Sequence, residues 1–141
     1  ADLSNAELYN TQLIGANLSE ANLARADLQK AQLTNTNLYR ANLTSAWLAS
    51  AQLQDANLSQ AILFKSTLNS ANLQDADLSQ ANLMEASLIK ANLQDVDLQD
   101  ADLNKTILFK ASVSKAALIE AQLCLSSLPN YTMHGRDCDR T

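Results

Sequence analysis

The sequence predicts an all-β solenoid, a chain wound into a coil that turns a corner every five residues. Three observations predict it. Leu recurs at every fifth position from Leu3 to Leu123, and Val113 is the one substitution in those 25 positions. The residue two before it is small, and is Ala in 20 of the 25 units. Hydrophobic content is 47% while aromatics are only 4%, with 2 Gly and 1 Pro. That is a repetitive composition with a large apolar share, unlike the apolar-poor composition of disordered chains.

The period decides the architecture, so it comes first. A helix turns about 100° per residue, so a five-residue step drifts by ~140° and winds the leucines round every side. A flat strand alternates faces, so the same step flips successive leucines from one face to the other. A coil whose corner recurs with the period buries the whole column. Each unit then sends one large and one small side chain inward, which suits close packing. Four sides close a coil with Leu and Ala along its axis and no wide bore.

The other unit positions follow. The small residue is replaced at Thr11, Thr36, Ser66, Val96 and Thr106. The residue before Leu is Asn, Asp, Gln or Glu in 18 of 25 units, with Trp47, Ile62 and Ile107 among the exceptions. The last two positions vary. The pentamers ADLSN, ANLSE, ANLAR, ADLQK, ANLTS, ADLSQ and ANLME resemble the A(D/N)LXX consensus of the pentapeptide repeat family, and the resemblance covers residues 1–125. It implies a right-handed quadrilateral β-helix with four pentapeptides per coil and each residue stacked on the one a coil away. About six coils at ~4.8 Å make a rod ~30 Å long. In such a repeat, stability is a sum over neighbouring coils, and both ends need covering. The first coil would expose Leu3 and unpaired amides, so a further cap or a weak end-to-end contact between copies is expected there. Ala1 already stands in repeat register, as expected of a processed or trimmed terminus, and residues 1–20 do not read as a charged-then-apolar leader.

The expected division is a repeat over residues 1–115 and a cap over 116–141. Residues 114–128 fit either one more coil or a helix. The helix is preferred, because an open coil end exposes Leu and unpaired amides. Ser114 would cap it, Leu118, Ala121, Leu125 and Leu128 share a face, and Pro129 would end it. The two cysteines, Cys124 and Cys138, both fall in this segment. A disulfide between them would tie the tail to the cap, worth roughly 3 kcal/mol in the chain-entropy model. It implies an oxidising compartment, the periplasm or the thylakoid lumen. The exported cyanobacterial and lumenal members of the family are similar.

Chemistry is sparse. His134 is the single histidine. Drawn with Cys138 and Asp137 it makes a weak catalytic set, lacking a positioned base and orienting group. Cys124, His134 and Cys138 supply three zinc ligands on paper, in no finger spacing. Neither is preferred over a bridged, unreactive tail. No phosphate-cradling glycine loop exists and no cofactor is expected. There is no 18-residue apolar run, hence no membrane-spanning helix. The formal net charge of −5 and scattered cations argue against nucleic-acid binding.

Stacking by one coil makes surface columns readable. Asp55, Asp75 and Asp95 fall in one column, where they repel; a solvated face is the plain reading, a cation site or DNA mimicry the alternatives. Phe64 falls on Met84 with Ile62 beside it. Phe109 falls on Ile89 with Ile107 beside it, and Trp47 shares the Ile107 column. Exposed apolar clusters mark interaction surfaces, although stacked aromatics also reinforce a ladder. The expected function is a non-enzymatic, rigid structural or protein-interaction module. The alternative is a gyrase-binding DNA mimic, a role that some similar family members have.

Overall fold

The computed structural model describes residues 1–129 and the backbone of residues 133–134. Each unit closes with a turn. The Ala6 N–H donates to the Leu3 carbonyl at 3.0 Å, and the same bond recurs from unit to unit. The fifth residue of the unit sits in the left-handed region. Gly15 has φ 69°, and 22 non-glycine residues, from Asn5 to Leu125, lie between 55° and 61°. Positive φ at the third turn residue is the mark of a type II turn. This is the physical corner of the coil, and it turns the chain by one side every five residues.

Between corners the chain is extended and pairs with the coils before and after it. The Leu23 N–H donates to the Asn42 carbonyl at 2.7 Å, the Arg25 N–H to Thr44 at 2.9 Å, and the Asn42 N–H to Ala21 at 2.9 Å. Parallel bridges Asn22↔Asn42, Asp27↔Trp47, Gln32↔Gln52 and Asn37↔Asn57 give the four sides and the one-coil register. We number the sides from the units beginning at Ala1, Ala6, Thr11 and Ala16. The side 1 column runs from Asp2 through Asn22, Asn42, Ile62, Asn82 and Asp102 to Gln122.

This ladder employs the N–H of the first, second, third and fifth residues, leaving that of the fourth. All 13 second-position Asn and Asp residues accept it on Oδ1, at 2.9 to 3.1 Å. The side chain thus closes a local turn that the backbone cannot. Where Ser87 and Gln122 hold the second position, the amide of the previous coil substitutes. Asn69 Oδ1 accepts from the Ile89 N–H at 3.0 Å and Asn104 Oδ1 from the Cys124 N–H at 2.6 Å.

The axis is a column of leucines sealed by alanines, fully buried from Leu23 to Leu83. Buried hydroxyls at the small position are satisfied. Thr36 and Thr106 donate to the Leu13 and Leu83 carbonyls at 2.8 Å, Ser66 to Leu63 at 2.7 Å, and Ser126 to Leu103. Leu3, Leu8, Leu13 and Leu18, in the first coil, are only half-buried.

The C-terminal end departs in part from the expected short helical cap read over residues 114–128. A helix is present as α1, Lys115–Ile119, and Ser114 caps it by accepting the Ala117 N–H on Oγ at 3.1 Å. It has no buried residue and stops at Glu120. The repeat then resumes. Gln122 pairs with Asp102 and Ser127 with Ile107, and Leu123 returns to the core at 2% exposure. Leu125, expected on a buried helical face, is instead a corner with φ 57° and is 50% exposed. Extending the helix to Leu128 would withdraw Leu123 from the axis and leave the edge of the preceding coil unpaired. The ladder wins, because a five-residue helix carries little stability of its own. Beyond it, β1 (Ser126–Ser127) pairs antiparallel with β2 (Met133–His134), Ser126 opposite His134 and Ser127 opposite Met133. An antiparallel strand laid on a parallel ladder covers that stretch of edge, a device against further strand addition. Among the described residues, no helix is long and apolar enough to cross a membrane.

Candidate interaction surface

All seven apolar residues singled out in the sequence lie on sides 1 and 2, at second and fourth positions that point outward. The stacks occur in register. The Lys65 N–H donates to the Met84 carbonyl at 3.0 Å, seating Met84 against the Phe64 unit, and the Lys90 N–H donates to Phe109 at 2.9 Å. Phe64, Met84, Ile89 and Phe109 are half-buried. Lysines cover both rings: Lys65 Nζ lies 5.2 Å from the Phe64 centroid and Lys110 Nζ 5.2 Å from that of Phe109. Lys30 over Tyr9 at 5.6 Å and Arg40 over Tyr39 at 5.0 Å complete a rule that sequence reading missed. Every fourth-position aromatic carries a cation on its face, worth about 0.5–1 kcal/mol at an exposed site. The adjacent pairs Tyr39-Arg40, Phe64-Lys65 and Phe109-Lys110 were the available signal.

Trp47, Ile62 and Ile107 are different. They are 55%, 41% and 42% exposed. Trp47 and Ile107 share the side 2 column, with Thr67 and Ser87 between them. Three coil steps put them ~14 Å apart. The predicted set is therefore two half-covered stacks and three separate exposed residues, not one continuous patch. Trp47 lies between Asp27 and Thr67 in its column, with Ser45 and Ala49 outward in its own coil. Tyr9 and Ile14 in the first coil, Ile119 on α1 and Leu125 are also exposed apolar residues, and none of them stacks on another apolar residue a coil away in the repeat.

Asp55, Asp75 and Asp95 occupy corners, with φ of 57°, 58° and 55°. Aspartate tolerates that conformation better than most residues, which gives the column a backbone reason. Among the described residues no cluster suited to a metal ion is found. Asp137, Cys138 and the His134 side chain lie outside the described residues, so the catalytic and zinc sets fall there too.

Charge is unevenly spread. Through residue 110, sides 3 and 4 carry Glu20, Asp55, Asp75, Asp77, Asp95, Asp97 and Asp100 against Arg40 alone. Sides 1 and 2 balance Asp2, Glu7, Asp27, Glu85 and Asp102 with Arg25, Lys30, Lys65, Lys90, Lys105 and Lys110. One ion pair forms among the described residues, Lys65 to Glu85 at 3.7 Å, exposed and worth ~0–1 kcal/mol. The Asp2 carboxyl is held below its usual range, chiefly by the hydrogen bond from the Ser4 N–H and then by that from the Ser4 side chain.

The family model for pentapeptide repeats matches in 8 copies, over residues 1–38, 36–63, 66–104 and 86–123. The chain belongs to the pentapeptide repeat family. Among solved members it is similar to HetL, a pentapeptide repeat protein involved in heterocyst differentiation regulation from the cyanobacterium Nostoc sp. PCC 7120. Identity is 33% over 94% of this chain and 68% of HetL, with a TM-score of 0.65. A pentapeptide repeat protein of the Arabidopsis thaliana thylakoid lumen shares the fold at 23% identity, covering 80% of this chain and 72% of its own, with a TM-score of 0.57. No curated protein matches the chain in sequence. The family defines a backbone and leaves its outward positions free, so function rests on those positions.

Proposed function

We propose that this pentapeptide repeat chain is a non-enzymatic, rigid protein-interaction module whose contact surface lies on sides 1 and 2. The observation that carries this is Trp47, more than half exposed on a wall whose backbone is held by the ladder. A tryptophan presented on a preorganised scaffold loses little entropy on binding, and tryptophan is among the residue types enriched at interface hot spots. Phe64, Met84, Ile89 and Phe109 act mainly as ladder reinforcement, the two rings beneath Lys65 and Lys110, with Ile62 and Ile107 as secondary contacts. The test is affinity capture from an extract of the source organism, wild type beside Trp47→Ser/Ile107→Ser. Both changes are outward, so the β-rich circular dichroism spectrum is expected to persist. A protein retained by wild type alone is expected, and equal retention by both would refute the assignment.

The acidity of sides 3 and 4 favours a second reading, a gyrase-binding DNA mimic carried by Asp55, Asp75 and Asp95. A gyrase supercoiling assay decides it. Inhibition relieved by changing all three to Asn supports it, and inhibition that persists in that triple variant dismisses it.

The proposal includes a cap over residues 116–141, with a Cys124–Cys138 bridge and residence in the periplasm or thylakoid lumen. Support comes from the strand pairing that turns the tail back along Ser126–Ser127. Among the described residues no cysteine is a free thiol. Cys138 lies outside the described residues. Alkylation of the denatured chain before and after reduction tests the bridge: thiols that react only after reduction are expected.

A further inference from the structure

The rod is divided lengthwise, and the division has a local arrangement at its most exposed aromatic residue. Trp47 and Ile107 mark the ends of a stretch of the side 2 column whose intervening members, Thr67 and Ser87, are small. That strip is bordered on both corners by exposed lysines. Lys65 and Lys105 stand at the corner before it, Lys90 and Lys110 at the corner after it. Of these, Lys65 also pairs with Glu85 across an exposed 3.7 Å contact. Through residue 110, sides 3 and 4 are net acidic, and apart from Ile14 in the first coil and Tyr39 beneath Arg40 their outward residues are polar.

We propose that side 2 and its two corners form a docking strip for a protein segment that carries carboxylates beside apolar side chains. This rests on the interaction-module reading above and names the partner's chemistry. Trp47 and Ile107 receive apolar side chains, and the lysine pairs receive acidic ones. The ~14 Å between the two anchors matches about four extended residues or about ten helical ones. Charge complementarity selects this occupant over others. A nucleic acid demands a long uninterrupted run of cations, whereas the four lysines here are interrupted by Glu85 and the side 2 column continues past Trp47 to Asp27. An anionic membrane demands a larger cluster of basic residues and a broader apolar face. A second copy supplies carboxylates from sides 3 and 4, but amide side chains such as Gln54, Gln74 and Gln94 would face Trp47 in place of apolar ones.

Random peptides displayed on phage, selected on the full chain and counter-selected on Trp47→Ser/Ile107→Ser, test the idea. Trp47 is the single tryptophan, so its fluorescence reports binding of the synthesised peptides directly. Enriched peptides are expected to place Asp or Glu beside aromatic or aliphatic residues and to shift Trp47 emission to the blue. Their affinity is expected to fall about tenfold when Lys65, Lys90, Lys105 and Lys110 are all changed to Gln, and to fall with salt. Gln already occupies equivalent corners at Gln60 and Gln80, so that variant keeps the fold. Enrichment of neutral or basic peptides that bind the Gln variant equally overturns the acidic partner while leaving an interaction module. No enrichment over the counter-selected variant overturns both. A Trp47 shift that grows with protein concentration alone, or one produced by phosphatidylserine vesicles and by no peptide, replaces the acidic segment with a second copy or a membrane.

Discussion

Changing Asn42 to Ala removes one small polar group from the outside of the rod, yet it is expected to cost about as much as a modest core mutation. Asn42 Oδ1 accepts the Thr44 N–H at 3.1 Å and the Thr44 hydroxyl at 2.6 Å, and Asn42 Nδ2 reaches Asn22 Oδ1 at 3.4 Å. The ladder provides no other partner for the Thr44 N–H. Each net hydrogen bond is worth about 0.5–1.5 kcal/mol, and a half-buried donor left unpaired costs at least as much. The expected loss is about 1–3 kcal/mol. Asn42→Asp keeps the acceptor for Thr44 but loses the Nδ2 donor to Asn22 Oδ1, so it is expected to cost about 0.5–1 kcal/mol, less than Asn42→Ala. Asp77 already holds Ser79 this way, at 2.9 Å from the N–H and 2.6 Å from the hydroxyl. Urea unfolding followed by circular dichroism measures both variants. At a typical slope of about 2 kcal/mol per molar, Asn42→Ala lowers the midpoint by roughly 0.5–1.5 M. An Ala variant as stable as wild type, or an Asp variant as weak as the Ala variant, would refute this role for the second position.

Further outcomes follow from the corners, the axis and one carboxyl. Gln80, exposed with φ 57°, is expected to gain about 0.5 kcal/mol on change to Gly and to lose about 1–2 kcal/mol on change to Val, both read by thermal melting. Leu58→Ala, in the sealed axis, is expected to cost about 2–5 kcal/mol, and Leu3→Ala in the half-buried first coil distinctly less. Equal costs would mean that the coils do not bury their leucines as described. The Asp2 carboxyl is expected to titrate below an ordinary aspartate by carbon-detected NMR. A depressed folded-state pKa favours the fold above the unfolded value, and that contribution disappears as pH falls through the folded one. Asp2 is fully exposed, so the effect on the global melt is small.

Much of this architecture was legible in the chain itself. An unbroken five-residue column of Leu, with Ala two residues before it, has no place on a helix or a flat strand. It demands a coil that stacks residues a full turn apart, and the bridges from Asp2↔Asn22 to Ile107↔Ser127 are that stacking. Ser114 as a helix cap was also readable, since its hydroxyl serves a backbone N–H three residues away. What only the tertiary structure decided are outcomes of competition between local preference and pairing across coils. Residues 120–128 have helical periodicity, but Gln122 and Ser127 gain more from the waiting edges of Asp102 and Ile107 than from a lengthened helix. The second-position Asn looked merely polar until the ladder had claimed every other N–H of the unit. Phe64 and Trp47 looked alike as outward aromatics. Phe64 is partly covered because Lys65 lies over its ring, while Trp47, between Asp27 and Thr67, is more than half exposed. A residue's own identity sets whether it faces in or out, but how much of an outward side chain meets solvent depends on which neighbours the coil lays over it.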